Sequence, residues 1–271
     1  DHDFKYQIGA NLSTLKNKVT SLGFGTDSSI QGAYKTEVGQ EIGKFYGWVY
    51  EGIARTQADL DNHATQPGAN VGDCLYKDIS GPEGEPDGVI DAYDQTVLGS
   101  GLPKINFGLN VRFEYKNFDL SVATFGALNY HVSDDIYNSL NSCYGWGNKD
   151  VAMSDANRWS EDGTTYLSSI PRTYAANNAT LAWNDLFSER KIQNAAYWKI
   201  ANVELGYNLP DKWFGNYVSG VRVYVSAQNL YTFTGYKGYN VDYAGGTFTP
   251  GYNFCSFPSA RSFMAGLHFT F

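Results

Sequence analysis

The 271-residue chain holds only three cysteines, and 18% of its residues are charged. Cys74, Cys143 and Cys255 have no CxxC spacing and no histidines at zinc-ligand intervals, so a structural zinc site is not indicated and at most one disulfide can form. Basic residues are outnumbered, 20 Lys and Arg against 28 Asp and Glu, giving a formal charge of −8. Nucleic-acid binding, which needs clustered cations, is therefore not expected. No apolar run approaches the ~18–20 residues of a spanning helix. Strands can still cross a bilayer, because their alternating polarity averages out in a hydropathy window; the mean hydropathy here is −0.38. GxSxG, HExxH and phosphate-loop motifs are missing, and the four histidines are scattered, so no enzymatic activity and no required cofactor are expected.

What is abundant is aromatic: 21 Tyr, 16 Phe and 6 Trp, beside 29 Gly, a strand-and-turn composition. Residues 105–115 alternate cleanly, with Ile105, Phe107, Leu109, Val111, Phe113 and Tyr115 against Asn106, Gly108, Asn110, Arg112 and Glu114. That is a period-2 strand. A two-residue turn at Lys116-Asn117 keeps the next strand, from Phe118, in phase. The pattern returns at 4–12, 199–209, 221–228 and 263–271, and a further candidate covers 44–53, where both faces carry aromatics. This predicts about seven strands. Short turns follow Tyr115 and Leu209, whereas long segments fill 56–101, 132–191 and 235–259.

Tight turns on one rim and long loops on the other describe an all-β, antiparallel transmembrane β-barrel. An odd count predicts that residue 1 begins at the long-loop rim, with the C-terminus periplasmic, and about seven strands cannot close alone. The rival is a secreted β-sandwich, such as a lectin or adhesin binding glycans, whose apolar face turns inward. In that case Ile105, Leu109, Val203 and Val225 would lie between two sheets. Against it stand strands longer than the usual ~5–6 residues and aromatics gathered at strand ends.

The run Gln228-Asn229-Leu230-Tyr231-Thr232-Phe233-Thr234-Gly235-Tyr236-Lys237-Gly238-Tyr239-Asn240 resembles a signature near the end of SusC/RagA-type TonB-dependent outer-membrane transporters, departing from it at Asn240-Val241, where that family has Asp-Pro. Further similarity lies in Phe45-Tyr46-Gly47-Trp48, in Asp87-Gly88-Val89-Ile90-Asp91, in Tyr197-Trp198-Lys199-Ile200 before Leu205-Gly206-Tyr207, and from Pro258 to Arg261 before Phe271. The resemblance implies the C-terminal segment, residues 1–271, of a plugged barrel of about 22 strands. It also implies import of a large nutrient, a glycan or oligosaccharide foremost and a peptide as the other option. The partners it implies are a SusD-like lipoprotein lid, outer-membrane lipid, and TonB acting through a plug. The plug and the remaining N-terminal strands would come from a separate chain.

Three sets of candidate site residues follow. The Asp87-Gly88-Val89-Ile90-Asp91-Ala92-Tyr93-Asp94 segment has the second-half spacing of an EF-hand-like loop, so Asp87, Asp91 and Asp94 are candidate ligands for a structural calcium ion in the 78–94 loop. The other reading is a solvated acidic turn. Segment 56–100 carries nine acids against Lys77 alone, which would disfavour anionic cargo or simply aid solubility. In 132–191, Tyr137, Tyr144, Trp146, Trp159, Tyr166, Tyr174 and Trp183 could stack on sugars or pack the loop on itself. Tyr144 and Trp146, beside Gly145 and Gly147, are the foremost ligand candidates. Arg112 and Glu204, on the polar strand faces, could contact cargo or pair with neighbours such as Glu114 and Arg222.

Overall fold

The computed structural model describes residues 3–23, 25–143, 149–153, 157–161, 165–173, 183–214, 218–242 and 245–271. Its main sheet is an antiparallel meander of six strands in chain order: Phe4–Thr14, Ile105–Tyr115, Phe118–Leu128, Tyr197–Asn208, Gly220–Thr234 and Ser262–Thr270. These strands are 9 to 15 residues long, enough to cross a bilayer when tilted.

Register carries the apolar parity from strand to strand. Ile8 faces Val111, Val111 faces Val122, Val122 faces Val203, and Val203 faces Ala227. Directly opposed residues share a face, so one side of the sheet is a continuous apolar surface. No second sheet covers it among the described residues. Ile8, Leu12, Leu205, Val225, Phe263, Leu267 and Phe269 are all exposed, between 45% and 71%. A patch of this extent needs an apolar solvent, and the sandwich reading, which requires a covered face, is overturned. Phe4, Tyr115, Phe118 and Tyr207 stand in register along the tight-turn rim, with Phe118 and Tyr207 at 4.6 Å between ring centroids. Toward the opposite rim, Trp198 stacks on Phe233 at 5.3 Å and Phe233 meets Tyr231 at 4.7 Å. From Tyr115 to Phe107 is roughly 26 Å along the strand at about 3.3 Å per residue. A tilt near 40° reduces that to about 20 Å, close to the height of a barrel's apolar band.

A bulge corrects the reading of the 199–209 strand. Register shifts between Ile200 and Asn202, opposite Asn229 and Leu230, and Asn229 takes a positive φ of 51°. Ala201, which strict alternation over 199–209 places with the apolar set, is the inserted residue. Beyond it the phase reverses: Ile200 and Trp198 join the apolar face, while Lys199 joins the polar one. Unbroken alternation would have put a lysine into the bilayer.

The candidate strand at 44–53 is not a seventh member of this sheet. Lys44–Trp48 pairs with Tyr34–Glu37 and Gln95–Ser100 in a separate four-stranded sheet, and Tyr50–Ile53 pairs with Cys74–Tyr76. Its aromatics on both faces are used for packing within a loop domain, and Phe45 is fully buried. With six strands, the start at Phe4 lies beside the Lys116 turn, whose amide donates to Asp3 O at 3.1 Å. The expected start at the long-loop rim does not hold.

The long connections, 15–104, 129–196 and 235–261, fold together as one cap. His131–Asp134 pairs antiparallel with Gln193–Asn194 and parallel with Tyr252–Asn253, joining the second and third connections. The first meets the second where Trp48 N donates to Phe187 O at 3.0 Å. A Cβ on Gly47 would collide with that carbonyl, so glycine is required for the approach. Both hydrophobic clusters centre on the cap or its junction with the sheet: Cys74, Tyr76 and Ile90 in one, and Ala127, Tyr130, Val132, Ala195, Tyr236 and Val241 in the other.

Val203→Arg should therefore cost about 2–4 kcal/mol of barrel stability, as cations do at the bilayer midplane, whereas Asn202→Arg on the polar face should be tolerated. Yield of the heat-modifiable folded band on unboiled gels of the outer-membrane fraction distinguishes the two variants.

Candidate functional site

Candidate site residues lie on two surfaces, the polar face of the sheet and the cap formed by the long connections. On the polar face, Arg222 spans three strands. Its Nε donates to Asp119 Oδ1 at 2.9 Å, and its Nη2 donates to Asp119 Oδ2 and to Glu204 Oε1, the latter at 2.8 Å. The guanidinium passes over Gly206, where a Cβ would strike both Arg222 and Asp119. Arg112 Nε donates to Glu114 Oε1 at 3.0 Å on its own strand. The candidates Arg112 and Glu204 thus lie on the polar face, as read from the alternation, and both have charged partners. Lys5 and Gln7 border the same part of the wall as Arg112.

The cap is tied by two buried carboxylates. Asp73 is fully buried and accepts from Arg172 Nε at 2.6 Å, from Arg172 Nη2 at 2.8 Å, from Asn184 Nδ2 at 2.8 Å and from the Asn70 amide at 2.9 Å. Asn184 in turn accepts from the Cys74 amide at 2.7 Å. Asp134 Oδ1 caps the helix Asp135–Leu140 by accepting from the Tyr137 amide at 2.8 Å. Its other oxygen accepts from the Tyr236 hydroxyl and from Asn253 Nδ2 at 3.0 Å. Burial and the Asp134 contact both push the Tyr236 phenol up, so it stays a neutral donor. Asp134 is thus spent on structure.

The calcium candidates are likewise engaged by backbone donors. Asp94 is fully buried, with Oδ1 accepting from the Ile79 amide at 2.8 Å and Oδ2 from the Asp91 amide at 2.8 Å. Asp91 caps its own short helix through the Tyr93 amide, and Asp87 accepts from the Val89 amide at 3.0 Å. Among the described residues no group of three or more His, Cys, Asp or Glu converges as a metal cage. The three acids are thus brought into one loop but not onto one point.

Of the loop aromatics, Tyr144, Trp146 and Tyr174 lie outside the described residues. Trp159 is buried against Gly72, Trp183 Nε1 donates to Pro67 O at 2.9 Å, and Tyr166 lies under Arg55. These three pack the cap on itself. Tyr137 remains on a cleft, below Lys237. The residues not singled out as site candidates are Arg190, which carried no motif, and Lys237, which lies within the Gln228–Asn240 run; they come from different connections.

The cysteines are all free. Burial pushes the Cys74 thiol up to about 12 and raises Cys143 as well, whereas Cys255 is exposed. Maleimide should label Cys255 rapidly and spare Cys74 and Cys143 in the folded protein. Asp73→Ala, which strips Arg172 and Asn184 of their shared acceptor, should open Cys74 to labelling. Mass mapping of the adducts checks both expectations.

No family model matches the chain. Curated relatives nevertheless align along its whole length. TonB-dependent receptor P3 of Formosa agariphila is 29% identical over 100% of this chain and 27% of its own, and TonB-dependent receptor SusC of Bacteroides thetaiotaomicron is 24% identical over 99% of this chain and 25% of its own. Among solved structures, the RagAB peptide transporter superposes with a TM-score of 0.75 at 22% identity, over 98% of this chain and 27% of that one. The chain spans about a quarter of the length of the relatives it matches, none of which is named as an enzyme. The chain is thus similar along its whole length to TonB-dependent receptors of the SusC kind, and its apolar-faced meander with a capped rim shares its fold with part of the RagAB transporter.

Proposed function

We propose that this chain supplies wall and cap to an outer-membrane importer that takes up a large nutrient, powered by TonB through a plug. The observation that carries the reading is the uncovered apolar face running in register across all six strands, beneath a folded polar cap. In this reading the tight turns and the C-terminus are periplasmic and the cap is extracellular, where a SusD-like lipoprotein closes over it. The remaining strands and plug complete the barrel. The exposed edges of Phe4–Thr14 and Ser262–Thr270 support this, because unpaired backbone groups are costly in lipid.

An oligosaccharide is the cargo favoured here. Clefts in the cap combine tyrosine faces with asparagine amides, groups that stack on sugar rings and bond hydroxyls. Peptide is the second reading, since one of the similar structures is a peptide transporter.

Detergent extraction of outer membranes, with a tag on the intact receptor, should recover a surface lipoprotein alongside it, and deleting either the receptor or TonB should abolish uptake of the same nutrient. Recovery of the chain in the aqueous fraction without detergent, or uptake indifferent to TonB, would refute the proposal.

A further inference from the structure

Two cavities of about 450 and 410 Å³ at the long-connection rim share Tyr137, Arg190 and Lys237 as lining residues. The three come from different places: Tyr137 from the helix Asp135–Leu140, Arg190 from the short helix Glu189–Lys191, and Lys237 from just beyond the strand Gly220–Thr234. The small sheet of His131–Asp134 with Gln193–Asn194 draws the first two together, and the Lys237 amide is held to Gln193 Oε1 at 3.0 Å.

The charge of Arg190 has no counterion among the described residues. Its Nη1 donates to Cys74 Sγ at 2.8 Å and to Asn184 O at 3.4 Å, and the guanidinium lies 5.2 Å from the Tyr50 ring centroid. With its acidity suppressed by burial, Cys74 is a neutral thiol at physiological pH and does not compensate the cation. Arg190 Nε and Nη2 have no acceptor among the described residues, and that edge is the fork which matches a carboxylate in bidentate fashion. The neighbouring acid, Glu189, turns away to the Tyr50 amide at 2.9 Å. The Lys237 ammonium sits 5.9 Å over the Tyr137 ring and likewise pairs with no acid among the described residues. Asp185, the one carboxylate that lines the cleft among the described residues, is already taken by Lys191 at 2.8 Å, Ser142 at 2.8 Å and the Cys143 amide at 2.9 Å. In a chain of net charge −8, two uncompensated cations beside two tyrosine rings are a local reversal of sign.

We propose that this cleft is a carboxylate-binding subsite for an acidic, uronate-type oligosaccharide, with the Arg190 fork and the Lys237 ammonium holding the carboxylate. Tyr50 and Tyr137 supply ring faces for the sugar. Asn138 and Asn141 spend their amide donors on the protein, Asn138 on Ser133 Oγ and Lys191 O and Asn141 on Tyr137 O, which leaves their carbonyl oxygens to accept from hydroxyls. The proposal rests on the importer reading and reverses the expectation, drawn from the acids of segment 56–100, that anionic cargo is disfavoured. Of those acids, Asp73 adjoins the cleft through Asn184 but is paired with Arg172, and Asp91 and Asp94 are committed to backbone amides.

The test is calorimetry on the intact detergent-solubilised receptor with tri-galacturonate, neutral galactotriose and tri-glutamate as probes. Wild type should bind tri-galacturonate at least about tenfold more tightly than galactotriose, with affinity falling as salt rises. Lys237→Gln and Arg190→Lys should each weaken tri-galacturonate about tenfold and leave galactotriose unchanged, and Lys237→Arg should restore binding. Unboiled gel mobility verifies that the variants fold. Equal affinity for charged and neutral trisaccharides, indifference to both substitutions, tighter binding of tri-glutamate, or no binding of any probe while TonB-dependent uptake persists would each overturn the site alone. Loss of TonB-dependence itself would instead strike the importer reading.

Discussion

Everything in this molecule depends on parity being conserved across five strand pairings. Side chains alternate along a strand, and hydrogen-bond register then decides whether neighbouring strands show the same face. Here Ile8, Val111, Val122, Val203 and Ala227 align, and a single-residue slip at any pairing would turn one strand's polar set toward the acyl chains. The bulge at Ala201 is the necessary exception. It reverses parity on the Tyr197–Asn208 strand alone, while the partner strand takes up two residues, Asn229 and Leu230, and keeps Ala227, Tyr231 and Phe233 on the apolar face. Lys199 thereby joins the polar face and its ammonium meets Asp242 at 2.5 Å. The polar face then forms its own charge network around Arg222, with Gly206 leaving the space for that side chain to cross.

The cap obeys a different physics. Released from the bilayer, the long connections bury aromatics in small clusters and use buried carboxylates as ties. Asp73 binds the first connection to the second, and Asp134 binds the second to the third. Removing one partner from such a buried, hydrogen-bonded charge costs more than the pair contributes, which makes each tie a point where the whole cap can loosen. Clefts sit between connections: the ties fix their walls, and Arg190 and Lys237, which have no acidic partner among the described residues, line them.

The main strands were legible because a lipid-facing strand must alternate, and 105–115 and 118–128 do so with little interruption. The sixth strand count, in place of seven, was hidden at 44–53 by packing: a segment buried on both faces has no period to read, and Phe45 and Tyr46 look alike from the sequence. The strand from Gly220 extends to Thr234 because the bulge at Asn229 breaks the period without breaking the pairing. Site residues were harder. Trp159 and Trp183 carry the composition of a sugar platform but are used to pack the cap. The Arg190–Lys237 cleft was not legible as a site: Arg190 carried no motif, Lys237 lay in a run that says nothing of a cleft, and the two are 47 positions apart until the tertiary fold brings them together.

The central claim is that acyl chains meet the apolar face. Spin labels placed one at a time at positions 107 to 113 of the intact receptor in lipid bilayers test it directly, by relaxation with oxygen and with a water-soluble nickel chelate. The account predicts a period of two, with oxygen dominating at Phe107, Leu109, Val111 and Phe113 and nickel at Gly108, Asn110 and Arg112. Nickel access at the odd positions, or no alternation, would contradict it.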